Sequence, residues 1–129
     1  GISHGRANGL FLPHVMRYNA SLPTKFMPAP GYSAYVAPEK YAQLGWVIGL
    51  GGHTEAERRE RFFHKIDALL DEVGIPRSLA ACGVAEAEFR AAIPELARAA
   101  FEDPSLRTNP RMPLVRELQG LLEAAWQGR

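Results

Sequence analysis

Histidine is the residue type in this sequence with the most potential for chemistry, and it occurs at four positions: His4, His14, His53 and His64. Two ligands of one metal ion are each bound at about 2.1 Å and so lie roughly 4 Å apart at most. On a continuous helix, His4 and His14 would lie about 15 Å apart along the axis. No two histidines are three or four residues apart, so the local sequence contains no complete metal site. His4 is the best single candidate, although a lone histidine is more often structural.

Other catalytic arrangements are absent from the sequence. It has no Gly-x-Ser-x-Gly nucleophile elbow, no Walker loop and no pair of cysteines. The glycine-rich run at residues 49–52 follows a predicted helix rather than a strand, which favours a helix end and a turn over a phosphate-binding loop. Cys82 lies beside an apolar helix end and is interpreted as an inert thiol. We therefore assign no catalytic residue.

The composition is that of a single globular domain, residues 1–129. The chain is 47% hydrophobic and 22% charged, with a net charge of +1, so we expect no nucleic-acid or membrane partner. No apolar run approaches the ~18 residues of a membrane span, and we recognise no signal peptide. The single cysteine fits a reducing compartment, and we predict a cytoplasmic location.

The element that carries His4 is predicted to be a helix over about residues 4–19. Ser3 is expected to cap it with its hydroxyl, and Pro13 is expected to kink it or to begin a new helix. Gly5 and Gly9, four residues apart, suggest close approach of another backbone or a ligand. Residues 20–37 then form a long proline-rich loop, which is apolar enough that we expect it to pack on something.

Four further segments have helical periodicity. A helix that begins at Pro38 should bury Tyr41, Leu44, Val47 and Ile48. The next begins at a capping box, residues 54–57, and ends at Gly74-Ile75-Pro76. It should bury Phe62, Ile66, Leu69 and Val73, with Phe63 and Leu70 beside them, and residues 78–82 are expected to form a short helical turn that Gly83 ends. A third runs over residues 85–92 and restarts at Pro94, and the last runs over residues 113–126 after a polar turn. No period-two pattern of strand length occurs, so the predicted fold is all-α, a bundle of five to seven helices.

Four ordered blocks resemble the iron-containing (group III) alcohol dehydrogenases. Residues 3–19 (Ser-His-Gly-Arg-Ala-Asn-Gly-Leu-Phe-Leu-Pro-His-Val-Met-Arg-Tyr-Asn) are similar to that family's His-Gly and Leu-Pro-His-Val pattern. Residues 38–42 (Pro-Glu-Lys-Tyr-Ala) resemble the start of its next helix, and residues 74–79 (Gly-Ile-Pro-Arg-Ser-Leu) resemble its Gly-Ile-Pro motif. Residues 108–111 (Thr-Asn-Pro-Arg) resemble its last block. The blocks cover nearly the whole chain.

The resemblance implies a fold and a reaction. Such enzymes have an N-terminal α/β domain that binds NAD or NADP and an all-helical C-terminal domain of the dehydroquinate synthase-like type. A divalent metal, usually Fe²⁺ and in relatives Zn²⁺, is held by one Asp and three His of the helical domain. It polarises an alcohol or carbonyl oxygen while hydride moves to or from the nicotinamide. His4 matches the last of these ligands, whereas His14 matches a histidine that is not a ligand.

The Asp, the two earlier histidines and the nucleotide-binding domain have no counterpart in this sequence. We therefore expect the chain to be the C-terminal part of a longer two-domain enzyme, inactive alone and without a tightly bound cofactor. The expected partners are a small alcohol or carbonyl substrate, the missing N-terminal part and, in a homo-oligomer, a second copy. The residues 20–37 loop is longer than the family pattern implies. The alternative is a non-catalytic helical interaction module or a metal-free relative.

Overall fold

Within residues 1–24 and 35–128, the protein folds into five α-helices. The computed structural model describes residues 1–24 and 35–128, and no β-strand forms in that part of the chain. The all-α prediction is confirmed, whereas the predicted packing of the residues 20–37 loop falls mostly on residues outside the described ones. The helices are α1 (His4–Ala20), α2 (Ala37–Val47), α3 (Glu55–Glu72), α4 (Glu86–Glu102) and α5 (Val115–Gln127), with 3-10 turns at Ala80–Cys82 and Pro104–Thr108.

Helix α1 joins the two halves of the bundle. α2 packs against α3, α4 packs against α5, and α1 contacts α2, α3 and α5. Leu10 of α1 is fully buried, which contributes about 1.5–3 kcal/mol. It shares one core cluster with Leu79, Phe89, Ile93 and Ala125. The rings of Phe89 and Trp126 stack there with their centroids 5.0 Å apart.

Two prolines lie inside helices without breaking them. The predicted restart at Pro94 is wrong, because α4 continues through it. Pro94 is exposed, so water can satisfy the Arg90 carbonyl that lacks its helical partner. α1 likewise runs unbroken through Pro13, which excludes a new helix beginning there. Ser3 does occupy the N-cap position of α1, but its side chain makes no capping bond, so the predicted hydroxyl cap is also wrong.

The buried face of α2 differs from the prediction. Leu44, Val47 and Ile48 are 47%, 76% and 52% exposed. The physical reason is the close approach of α2 and α3, since a Cβ on Gly45 would lie 2.7 Å from the backbone oxygen of Arg58. Only small residues fit so close a contact. The residues that α2 buries are Ala37, Pro38, Ala42 and Gly45.

The buried face of α3 is shifted from the main predicted stripe to Phe63 and Leu70, which were predicted only beside it. Phe63 and Leu70 are buried, whereas Leu69 and Val73 are 46% and 62% exposed. Phe63 is held between two helices: Tyr41 of α2 meets it edge-on at 5.3 Å between centroids. The guanidinium carbon of Arg17 on α1 lies 5.6 Å from the Phe63 ring centroid. The neighbouring helices, rather than the longest apolar stripe, therefore select the buried face.

The ends of α3 and of the following turn agree with their sequence signals. Thr54 caps α3, since its Oγ1 accepts from the backbone N–H of Glu57 at 3.1 Å. The Glu57 carboxylate accepts from His53 N at 2.8 Å, one residue before the cap. Gly74 and Gly83 both adopt positive φ, 73° and 77°, a conformation that glycine reaches without steric cost. The end of α3 and the end of the turn at Ala80–Cys82 therefore lie where the sequence predicts them.

Candidate functional site

His4 is the first residue of α1, and its side chain is exposed. The chain enters α1 from an extended Ser3 (φ −65°, ψ 150°), whose carbonyl oxygen accepts from Ala7 N at 2.9 Å. Ile2 packs against the core cluster that contains Leu10. Because the backbone is anchored on both sides of His4, α1 sets the position of the imidazole while the ring stays open to a ligand.

Asn8 is the polar neighbour of the His4 ring, one turn further along α1. Its Nδ2 lies 3.1 Å from Nε2 of His4, within hydrogen-bond distance, and both side chains are exposed. An imidazole nitrogen binds a metal ion when it carries no proton, and histidine is a common ligand for that reason.

The other histidines do not join His4 in a metal site. His14 is half-buried and lies ten residues along the same unbroken helix, which corresponds to about 15 Å. His53 is exposed in the turn before α3, and His64 is exposed on α3. Within residues 1–24 and 35–128, no three His, Cys, Asp or Glu residues lie close enough together to hold a metal ion.

The two glycines near His4 have different surroundings. A Cβ on Gly9 would lie 3.3–3.4 Å from side-chain atoms of Ile75, in the turn that follows α3. A Cβ on Gly5 would have no atom of the described structure within 4 Å. At Gly9 the close neighbour in the described structure is therefore a side chain that packs on the core cluster, not a backbone. Gly5 leaves open space beside His4.

Neither the glycine-rich turn nor Cys82 offers a second site. Glu55 and Glu57 lie in the first turn of α3, where their charges oppose an anion. Arg58 donates to the Gly52 carbonyl at 3.0 Å, so its guanidinium already has a hydrogen-bond partner within the turn. Cys82 is half-buried and packs against the core cluster, which suits an inert thiol. These observations favour the interpretation of the glycine-rich run as a helix end and a turn, and that of Cys82 as an inert thiol.

A part-buried polar cluster joins the end of α1 to the turn before α5, where the sequence predicts only a polar turn. Asn19 and Asn109 form a reciprocal pair: each Nδ2 donates to the other's Oδ1, at 3.0 and 2.9 Å. Asn19 is 4% exposed, and its backbone oxygen accepts from the hydroxyl of Tyr35 at 2.5 Å. The sequence signals for this cluster are two blocks of the resemblance, the Tyr18-Asn19 end of residues 3–19 and the Thr-Asn-Pro-Arg block.

Arg111 is the cation of this cluster, and it is 8% exposed. It donates to the backbone oxygens of Tyr18 at 3.0 Å and Ser21 at 3.3 Å, which satisfies carbonyls at the end of α1. It also pairs with Glu117 of α5 at 3.2 Å. Its guanidinium carbon lies 4.0 Å from the Tyr18 ring centroid. One side chain thus fixes the end of α1 against the start of α5.

Residues 1–126 match the family model described as "Fe-containing alcohol dehydrogenase family, C-terminal". The chain belongs to this family. The bifunctional aldehyde-alcohol dehydrogenase of Escherichia coli (strain K12) is 37% identical over 99% of the chain. Aldehyde-alcohol dehydrogenase 2 of Entamoeba histolytica is 34% identical over 97%, and lactaldehyde reductase of E. coli K12 is 34% identical over 95%.

A solved structure of 1,3-propanediol oxidoreductase is similar to this alcohol dehydrogenase domain, with a TM-score of 0.74 and 29% identity over 97% of the chain. The fold is therefore that of the C-terminal domain of an iron-containing alcohol dehydrogenase. The chain spans 14–15% of the length of the two aldehyde-alcohol dehydrogenases. It spans 28% of lactaldehyde reductase and of the solved chain.

The chemistry of His4 in this alcohol dehydrogenase domain suits one ligand of Fe²⁺ or Zn²⁺. An imidazole nitrogen is a good donor for both metals, and the His4 side chain is exposed. The described residues do not add further ligands beside it. None of the described helices is both long enough and apolar enough to cross a membrane.

Proposed function

We propose that this domain acts within a longer, two-domain alcohol dehydrogenase. Residues 1–129 form its C-terminal helical part, and an N-terminal domain binds NAD or NADP. The support is the family match over residues 1–126 together with the greater length of the relatives. The reaction is hydride transfer between a small alcohol or carbonyl compound and the nicotinamide, and the isolated chain is inactive. Association with a second copy and a cytoplasmic location also stay predictions.

Within this enzyme, His4 supplies one ligand of a divalent metal, Fe²⁺ or Zn²⁺. When bound, the metal supplies Lewis-acid polarisation of the substrate oxygen. The contribution of this chain is to hold an imidazole at the N-terminus of α1. The observation that carries the proposal is that a domain of this family presents an exposed histidine there. The buried Leu10 and the unbroken helix keep the ring in place.

The test is metal analysis and activity of the longer enzyme with His4→Ala, beside His64→Ala as a matched control. His64 is also exposed and helical. We expect His4→Ala to lose most of its bound metal and at least about 100-fold of its activity, since removing a ligand costs more than weakening its surroundings. His64→Ala should keep both.

Two results would contradict the proposal. A His4→Ala enzyme with full metal content and activity would contradict the role of His4 as a metal ligand. A longer wild-type protein that binds no metal, and shows no alcohol-dependent reduction of NAD or NADP, would favour the metal-free relative or the interaction module instead.

A further inference from the structure

We infer that Ile75 is a positioning residue for His4. The Ile75 side chain lies in the notch that Gly9 leaves on α1, and this contact sets how far the first turns of α1 stand from the core. The inference rests on the proposed role of His4 as a metal ligand. It assigns a task to a residue in the turn after α3 that does not itself touch the metal ion.

The contact at Gly9 is close to several atoms of one branched side chain. A Cβ on Gly9 would lie 3.3 Å from Cγ1 of Ile75 and 3.4 Å from its Cδ1 and Cγ2. Protein interiors are packed so densely that a single added methyl group is felt. Glycine therefore lets α1 approach Ile75 to this distance, although glycine is a poor helix former.

The turn that carries Ile75 is held by its own hydrogen bonds. The N–H of Ile75 donates to the Leu70 carbonyl at 2.8 Å, and the N–H of Gly74 donates to the Asp71 carbonyl at 3.1 Å. Gly74 adopts a φ of 73°, so α3 ends in a Schellman motif. The Ile75 side chain also packs against the core cluster that contains Leu10. The turn is therefore a firm support for α1.

Helix geometry links this support to His4. His4 and Gly9 are five residues apart on an unbroken helix, which places them about 7.5 Å apart along the axis and about 140° apart around it. Ile75 thus supports α1 from the side nearly opposite the exposed His4 ring. An added methyl group at Gly9 requires a movement of a few tenths of an ångström. Because metal–ligand distances are held within about 0.2 Å, such a movement weakens a metal site.

The test compares Zn²⁺ affinity with stability in the longer enzyme. Competition with a chromophoric chelator measures the affinity, and thermal unfolding measures the Tm. Gly9→Ala should bind Zn²⁺ about 10-fold more weakly, as when the surroundings of a ligand are disturbed. Its Tm should stay close to the wild-type value, because the better helix propensity of alanine offsets the tighter packing.

Ile75→Ala should also weaken Zn²⁺ binding, because α1 loses its support. The double variant with Gly9→Ala and Ile75→Ala should bind Zn²⁺ more tightly than Gly9→Ala alone, because the added methyl group then has room. Gly45→Ala is the matched control, since it adds a methyl group at a close contact with Arg58, near the other end of α3. It should lower the Tm but leave the Zn²⁺ affinity within about 2-fold, as expected for a distant site.

Three results would overturn the inference: a Gly9→Ala enzyme with wild-type Zn²⁺ affinity, a double variant that binds no better than Gly9→Ala, or an equal loss of affinity in Gly45→Ala. The contact itself is measured without metal in the 129-residue chain, by nuclear Overhauser effects between the Ile75 methyl groups and the Gly9 α-protons. Their absence would also overturn the inference and leave the ligand role of His4 standing. Failure of that role appears separately, as full Zn²⁺ affinity in His4→Ala.

Discussion

At the scale of single residues, Arg111 shows how one side chain sets the relation of two helices. It is 8% exposed, and a cation so deep in a protein is stable only when it is paired and hydrogen-bonded. Its partners are the backbone oxygens of Tyr18 and Ser21 and the carboxylate of Glu117. Each partner lies at a helix end, where backbone carbonyls without a helical partner concentrate. The Arg111 guanidinium therefore donates hydrogen bonds at the places where such carbonyls occur.

We expect Arg111→Ala to lower the free energy of unfolding by about 3 kcal/mol, because it leaves Glu117 and two carbonyls without their cation. For a domain of this size that is about 10 °C in Tm. Thermal unfolding followed by circular dichroism measures it. Arg116→Ala is the control, since Arg116 is exposed on α5, the helix that carries Glu117, and should change stability by less than about 0.5 kcal/mol. Equal, small effects of both substitutions would contradict the role given to Arg111.

At the scale of elements, α2 and α3 approach each other closely at a glycine of α2. The backbone of Arg58 approaches Gly45 so closely that a Cβ at Gly45 would lie 2.7 Å from its oxygen. Backbone atoms cannot move aside as a flexible side chain does, so the two helices would have to separate. By contrast, a Cβ on Gly120 of α5 would meet nothing within 4 Å among the described residues.

Two glycine-to-alanine substitutions should therefore have opposite signs. Gly45→Ala should destabilise the fold by about 1–3 kcal/mol through overpacking. Gly120→Ala should stabilise it by about 0.5–1 kcal/mol, because alanine is the better helix former and no contact opposes it. Urea unfolding with an unchanged m-value measures both. A neutral or stabilising Gly45→Ala would show that α2 and α3 are not in close backbone contact.

At the scale of the whole molecule, α1 connects the α2–α3 pair to the α4–α5 pair, and Tyr18 lies near its C-terminal end. Burial raises the pKa of the Tyr18 phenol well above its usual 10.0, and the nearby Arg111 charge lowers it only in part. Burial also raises the pKa of Tyr41. The fold therefore favours neutral tyrosines where α1 meets its neighbours.

The raised pKa of Tyr18 predicts a loss of stability at alkaline pH. Above about pH 10 the unfolded chain loses the phenolic proton while the folded chain keeps it. The unfolded state then binds fewer protons, so the free energy of unfolding falls as pH rises. The contribution is fully present below pH 10. Tyr18→Phe should make this fall shallower in urea unfolding at about pH 8 and 11. Parallel pH dependence in both proteins would contradict the prediction.

Much of the candidate site could be predicted from the sequence. His4 stands out by its setting and by the family blocks, which depend on residue order alone. The contact of its ring with the Asn8 amide was not predicted, because the orientation of an exposed side chain does not follow from residue order. The Asn109 and Arg111 cluster was also missed, since its partners Asn19 and Tyr18 are about 90 residues away in the chain.

The sequence by itself determined the helical class, the ends of α3 and the place of His4 at the start of α1. Those signals work through backbone groups within about four residues, as in the Thr54 cap. Only the tertiary structure decided which faces of α2 and α3 are buried, and that α4 continues through Pro94. The buried faces depend on what approaches each helix from elsewhere in the chain, such as the Arg58 backbone against Gly45. The continuation of α4 through Pro94 depends on solvent, because Pro94 is exposed to water.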